Sequence, residues 1–199
     1  MTCYGYLDWP LGRLLLLSNG DALTGLWFVD GRRPVEPDVR WYHNEGADPF
    51  SDVRTQLREY GEGRRTTFDV PMRLEGTPYQ QRVWAVIADV PFGETISYRE
   101  LAARVGSPAS ARAAGMATGL NPISILVPCH RIVGSDGSLT GYGGGLERKR
   151  ALLAFESGAA PDLAAALRLE DPPLFAGVAT TGTPRRAPSG RESRHSSSS

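Results

Sequence analysis

Cys129 and His130 stand side by side in the run Pro128-Cys129-His130-Arg131. A thiol beside an imidazole is a candidate nucleophile and base. A free cysteine titrates near ~8.5, so little of it is thiolate at neutral pH, and a neighbouring base raises that share. Adjacent residues on a strand point to opposite faces. The two groups therefore meet only if the chain turns there or a water bridges them, and Pro128 favours such an irregularity. The imidazole also needs a third group to orient it. Glu156 follows Leu152 and Leu153 at helical spacing and shares the face they bury. A carboxylate on an apolar face needs a partner, and an imidazole would serve; fraying into solvent at the helix end is equally open. A cysteine hydrolase built on Cys129, His130 and Glu156 is one chemistry this set would support. It predicts repeated turnover of an ester or amide. No metal is expected, since His43 and Cys3 each lack ligand partners, and chemistry carried by a thiol requires no cofactor.

These residues need elements to carry them. Residues 123–127 read as a buried strand ending at the cysteine, and residues 146–155 as a final helix. The glycine-rich run 141–145 reads as a flexible loop; it lacks the Gly-Lys-Ser/Thr ending of a phosphate-binding loop. Thr77-Pro78-Tyr79-Gln80 is a capping box with proline at the first helical position. Ser97-Tyr98-Arg99-Glu100 is a second such box, Gly106 stops its helix, and Ser107-Pro108 opens the next. Two short helices joined by a tight turn make a helix-turn-helix pattern, which a helical hairpin that binds nothing would also satisfy. The second helix is built from Ala109, Ser110, Ala111, Ala113, Ala114, Gly115, Ala117 and Gly119. It buries little apolar area but can approach a backbone closely, either a neighbouring helix or a sugar-phosphate chain. Arg112 is its one long cation.

The first part of the chain reads differently. Residues 4–7, 14–18, 23–28 and 66–70 are strand-like, and Phe50, Val53, Leu57 and Tyr60 give a helix over residues 48–60 that ends at Gly61. No cluster in this part suggests chemistry. The fold class expected is α+β. A small strand and helix domain over 1–76 precedes a mainly helical domain over 77–158 that carries the cysteine. The Ala-, Pro-, Arg- and Ser-rich segment 159–199 reads as a tail, most of it disordered.

With 22 Lys and Arg against 22 Asp and Glu, no overall field points to a polyanion. Residues 1–76 hold 9 cationic against 12 acidic groups, and residues 77–156 hold 8 against 6, a mild bias that permits DNA binding without demanding it. Two cysteines in unlike settings favour a reducing, cytoplasmic compartment. Neither an export signal nor a membrane span is expected.

Pro128-Cys129-His130-Arg131-Ile132, with Asn121-Pro122 before it and Gly141-Tyr142-Gly143-Gly144-Gly145-Leu146 after it, resembles the signature of the O6-alkylguanine-DNA alkyltransferases. The resemblance runs back through Gly93-Glu94-Thr95, Ser97-Tyr98 and Ala111-Arg112-Ala113, spanning roughly residues 77–156. It implies single-use, irreversible transfer of an alkyl group from O6 of guanine in duplex DNA, with O4 of thymine left open, to Cys129. His130 would act through a water as base, Glu156 would orient it, and Asn121 would support the turn. Tyr98 would bond toward guanine N3 and crowd the phosphate so that the nucleotide rotates out. Arg112 would fill the vacated stack, and the helix bearing Ala113, Ala114 and Gly115 would lie in the minor groove, with Arg131 also on the DNA side. Ile132, Tyr142, Gly143, Gly144 and Lys149 would form the substrate pocket. The implied partner is duplex DNA bearing O6-alkylguanine, met by a monomer whose cooperation on DNA is left open. Some relatives carry a structural zinc that this chain lacks the ligands for, and some have proline where Ser124 stands. A non-catalytic lesion sensor with the same helix-turn-helix is the competing reading; relatives of that kind carry tryptophan in place of the cysteine.

Overall fold

The computed structural model describes residues 1–107 and 110–169. Pro108, Ala109 and the segment 170–199 lie outside them, and with them most of the expected tail. Strands β1 (Cys3–Trp9), β2 (Gly12–Ser18), β3 (Leu23–Phe28) and β4 (Tyr42–His43) form one sheet in the order β3-β2-β1-β4. The β1–β2 and β2–β3 pairs are antiparallel, and β4 joins β1 in parallel. The central strand β2 is buried continuously from Leu14 to Leu17, as a strand covered on both faces must be. Helix α1 (Phe50–Gly61) lays Phe50, Val53, Leu57 and Tyr60 into the core, and the Trp9 indole donates to the Leu57 carbonyl at 3.1 Å. The spacing of those four residues is what makes this face continuous.

Helix α2 (Pro78–Ala88) starts on the Thr77–Gln80 capping box, with both reciprocal bonds made. Then follow β5 (Ile96–Ser97), α3 (Tyr98–Arg104), α4 (Ala111–Thr118), a 3-10 turn over Cys129–Arg131, β6 (Ile132–Val133), α5 (Leu146–Glu156) and α6 (Leu163–Leu167). The α+β class read from the sequence is the one observed. Strands β5 and β6 pair in parallel, Ile96 with Ile132 and Ser97 with Val133. This short ladder sets the start of α3 beside the Cys129 turn. The Trp84 indole donates to the Ala117 carbonyl at 2.9 Å and ties α2 to α4. Among the described residues, no helix is long and apolar enough to cross a membrane.

Several local expectations are corrected. Residues 123–127 are not a strand. Ile123 makes an isolated bridge to Leu26, and the chain then reverses through Ile125 at φ 73°. Residues 66–70 form no ladder; the Asp69 amide goes to the Gln56 side chain, and pairing occurs later, between Met72 and Leu23. Ser97 caps α3 by accepting from the Glu100 amide, but the Glu100 carboxylate is drawn to Arg104 at 2.7 Å. Helix α4 begins at Ala111 rather than at Ser107, after a turn that Gly106 enters with φ +83°. Residues 159–169 are ordered into the fold: α6 packs on α5, and its Leu163 and Ala166 are buried because they complete an apolar face there.

Candidate active site

Cys129 is delivered by a braced turn. The Asn121 side-chain amide donates to the Val127 carbonyl at 2.8 Å, while its oxygen accepts from the Ile123 amide at 3.1 Å. Ile125 within this turn holds a left-handed backbone conformation that a β-branched residue rarely adopts. Such strain persists only where surrounding contacts over-determine it, and here Asn121 and the Leu26–Ile123 bridge do so. The Cys129 amide then donates to the Val127 carbonyl at 2.8 Å and the Arg131 amide to the Pro128 carbonyl at 2.9 Å, closing the 3-10 turn. That turn takes the place of strand alternation and lets Cys129 and His130 be buried together.

Behind Cys129 lies a saturated charge cluster. His130 Nε2 lies 3.0 Å from Glu156 Oε1. Arg131 donates to both oxygens of Glu156 at 2.8 Å and to the Val90 carbonyl at 2.6 Å. The Tyr60 hydroxyl adds a bond at 2.6 Å, and the Gly93 amide another at 3.3 Å. Burial opposes ionisation of Glu156, but His130 and the Arg131 guanidinium together hold its carboxyl well below the usual range. Burial pulls His130 down despite Glu156, so the imidazole is neutral. An ionised Glu156 accepts the Nε2 proton. Nδ1 is left as the basic nitrogen, buried and without a hydrogen-bond partner among the described residues. Burial raises the Cys129 thiol above its ordinary value, against the Asn121 amide and the Lys149 charge, so at rest it keeps its proton.

Lys149 is buried, and its ammonium donates to the carbonyls of Ile132 at 2.5 Å and Thr140 at 2.7 Å. Burial brings it down to about 8, with Cys129 pulling the other way. The Tyr98 hydroxyl also donates to the Thr140 carbonyl, at 3.1 Å. Lys149 and Tyr98 thereby fasten the start of the 141–145 loop.

Cys129 lies in the lining of a cavity of about 180 Å³, together with Asn121, Ser124, Gly143 and Gly144. Trp27, Phe28, Arg33 and Val35 complete it from the N-terminal part of the chain. A larger cleft of about 530 Å³ shares Arg33, Gly119 and Gly143 with it and is lined further by Arg32, Tyr98, Arg112, Gly115, Met116, Gly141 and Tyr142. The exposed face of α4 carries Arg112, Ala113 and Met116, the last 66 % exposed.

Four expected site residues take other places. Arg131 does not face outward; its guanidinium is consumed by Glu156 and Val90. Ala114 points into the core, where its carbonyl also accepts from Thr118, because α4 must pack on α2 and α3. Ile132 and Lys149 are buried and line neither of these two cavities, and the Lys149 ammonium donates to the Ile132 carbonyl. Sequence reasoning also missed Tyr60, which reaches Glu156 from α1, and the Trp27–Val35 wall. A tyrosine hydroxyl on an otherwise apolar helix face was the signal for the first, since a buried hydroxyl requires an acceptor. Paired aromatics followed by Arg32-Arg33 at a strand end were the signal for the second.

Two family models match the chain: the DNA binding domain of 6-O-methylguanine DNA methyltransferase over residues 78–158, and its ribonuclease-like domain over residues 2–74. A Mycobacterium tuberculosis protein named methylated-DNA–protein-cysteine methyltransferase is 48% identical over 162 residues, 81% of this chain and 96% of that protein. One of the same name from Haemophilus influenzae is 42% identical over 77% of this chain and 85% of its own. Among solved structures, Mycobacterium tuberculosis OGT in complex with DNA aligns at TM-score 0.76 and 45% identity, covering 82% of this chain and 98% of that one. The chain belongs to the 6-O-methylguanine DNA methyltransferase family.

Proposed function

We propose that this protein repairs DNA directly, by moving an alkyl group irreversibly from O6 of guanine in a duplex onto the sulfur of Cys129. The observation that carries this reading is the buried thiol in a cavity that shares Arg33, Gly119 and Gly143 with the α4 cleft, next in sequence to a neutral imidazole whose Nδ1 no described protein group claims. The same names attach to the relatives at 48% and 42% identity.

The target carbon sits inside a base stack, so the nucleotide must be extruded at a cost of a few kcal/mol. In this reading α4 enters the minor groove with Ala113 and Gly115, whose small size permits close approach. Arg112 fills the vacated stack, and Tyr98 crowds the phosphate. His130 Nδ1 takes the thiol proton through a water. The Cys129 sulfur attacks the alkyl carbon in line, the bond from that carbon to O6 breaks, and its electron pair passes to guanine. Tyr98 bonding toward N3 and the Gly143 amide toward O6 stabilise that charge. In sum the alkyl group ends on sulfur and the thiol proton on guanine. The thioether has no group poised to cleave it, so each chain acts once. We divide the chain by function at residues 76 and 77, with the cysteine on the second part and a cavity wall on the first.

Intact and peptide mass spectrometry after mixing with a duplex containing one O6-methylguanine tests this. A gain of one methylene confined to the Cys129 peptide is expected. Retained binding with no mass gain would favour a lesion sensor.

A further inference from the structure

The chain is neutral overall, yet its cations are not evenly neutralised. Many surface arginines pair with carboxylates, as in Arg40–Asp38, Arg65–Glu59, Arg104–Glu100 and Arg148–Asp30. Arg32, Arg33 and Arg112 are exposed, and among the described residues none of the three side chains has a hydrogen bond or ion pair. All three line the same cleft. Arg112 comes from α4, whereas Arg32 and Arg33 come from the loop between β3 and β4 on its other wall. Asp30, the nearest acidic group before them in sequence, is already held by Arg148 at 2.8 Å, so it does not quench them.

The loop is fixed by its backbone. The Arg32 amide donates to the Gly143 carbonyl at 2.8 Å. A Cβ added at Gly31 would come within 2.8 Å of that same carbonyl, so the two segments approach as closely as a glycine allows. The arginine side chains are thus carried by a segment latched to the loop beside Cys129, and Arg33 borders both the cleft and the inner cavity.

We propose that Arg32 and Arg33 form a second phosphate-binding arm, supplied by the N-terminal part of the chain, that grips the duplex backbone from the wall facing α4. A neutral protein needs such an arrangement more than a basic one does, because only locally unpaired cations can release counterions from DNA. The inference rests on the DNA reading of the cleft but not on the transfer chemistry.

The test is binding of an unmodified fluorescent duplex by the full chain across a salt series. Each phosphate contact contributes roughly 0.9 to the slope of log K against log salt. The Arg32→Ala/Arg33→Ala variant should lose about 2 from that slope and bind on the order of tenfold more weakly at moderate salt. Arg32→Lys/Arg33→Lys should keep most of the slope, since an ammonium also serves as a point charge for phosphate. Arg168→Ala, an exposed arginine at the end of α6 that does not line the cleft, should leave the slope unchanged. A double-alanine slope equal to wild type overturns the proposal, as does an Arg168→Ala loss as large as that per arginine at 32 and 33. A wild-type chain with no affinity for duplex would instead sink the DNA reading itself, and a missing methyl gain on Cys129 would sink only the transfer.

Discussion

Arg131 and Arg112 are the same chemical group in two opposite settings. In the region behind Cys129, Arg131, Glu156, His130 and Tyr60 satisfy one another in a buried cluster, where Glu156 alone meets Arg131, His130, Tyr60 and the Gly93 amide. On the exposed face of α4, Arg112 meets no partner among the described residues. The difference separates two uses of charge. A paired buried charge holds geometry, and removing its partner leaves an uncompensated ion in low dielectric. An unpaired surface charge contributes almost nothing to the fold and is free to meet a ligand.

The sharpest way to separate the two regions is to remove the sulfur between them. Cys129→Ala should abolish alkyl transfer completely while binding to alkylated duplex persists, read by mass and by anisotropy on one sample. Next in size, Arg131→Ala should destabilise the fold by about 3–5 kcal/mol, because it leaves the buried Glu156 carboxylate with only neutral hydrogen-bond donors. Urea unfolding measures this, and a loss below about 1 kcal/mol would dissolve the contrast. The acid limb of stability gives a smaller, sign-specific effect. Glu156 titrates below its ordinary range in the folded state, so in acid the unfolded chain binds more protons than the native one. Its contribution is therefore fully present above the ordinary glutamate value of ~4.3 and is lost as pH falls toward the depressed native value. Glu156→Gln should flatten that part of the profile, and an unchanged acid profile would refute the assignment. The smallest effect on the fold belongs to Arg112→Ala, within about 0.5 kcal/mol of wild type. Its cost should appear instead as weaker binding and slower repair on duplex, with reaction of free O6-alkylguanine base much less affected. Equal losses on both substrates would refute the flipping role.

What the sequence disclosed follows the same division. The α+β class was legible because β1–β3 are short apolar runs bounded by turn residues, α1 has helical spacing, and the Thr77 box marks α2. Glu156 could be ranked as a partner for His130 because a carboxylate on a buried helix face must be satisfied. The turn at 123–127 was not legible. Its residues are all buried and apolar or small, as in a strand, and only the Asn121 side-chain bonds and the positive φ of Ile125 divert it. Arg131 was misplaced for a related reason. Local spacing cannot reveal that a residue two positions from the cysteine reaches α5 and the end of α2 at once. Tyr60 and the Trp27–Val35 wall come from the other part of the chain, so only tertiary packing brings them to the site.

The central claim is that Cys129 accepts one alkyl group for good. It is tested most directly by giving limiting protein an excess of duplex carrying isotopically labelled O6-methylguanine and counting label on the protein. The account predicts a plateau at one methyl group per chain, all of it on Cys129, with no further loss of lesions afterward. Label that keeps leaving the DNA past that plateau, or a folded protein whose Cys129 stays unlabelled, would contradict it.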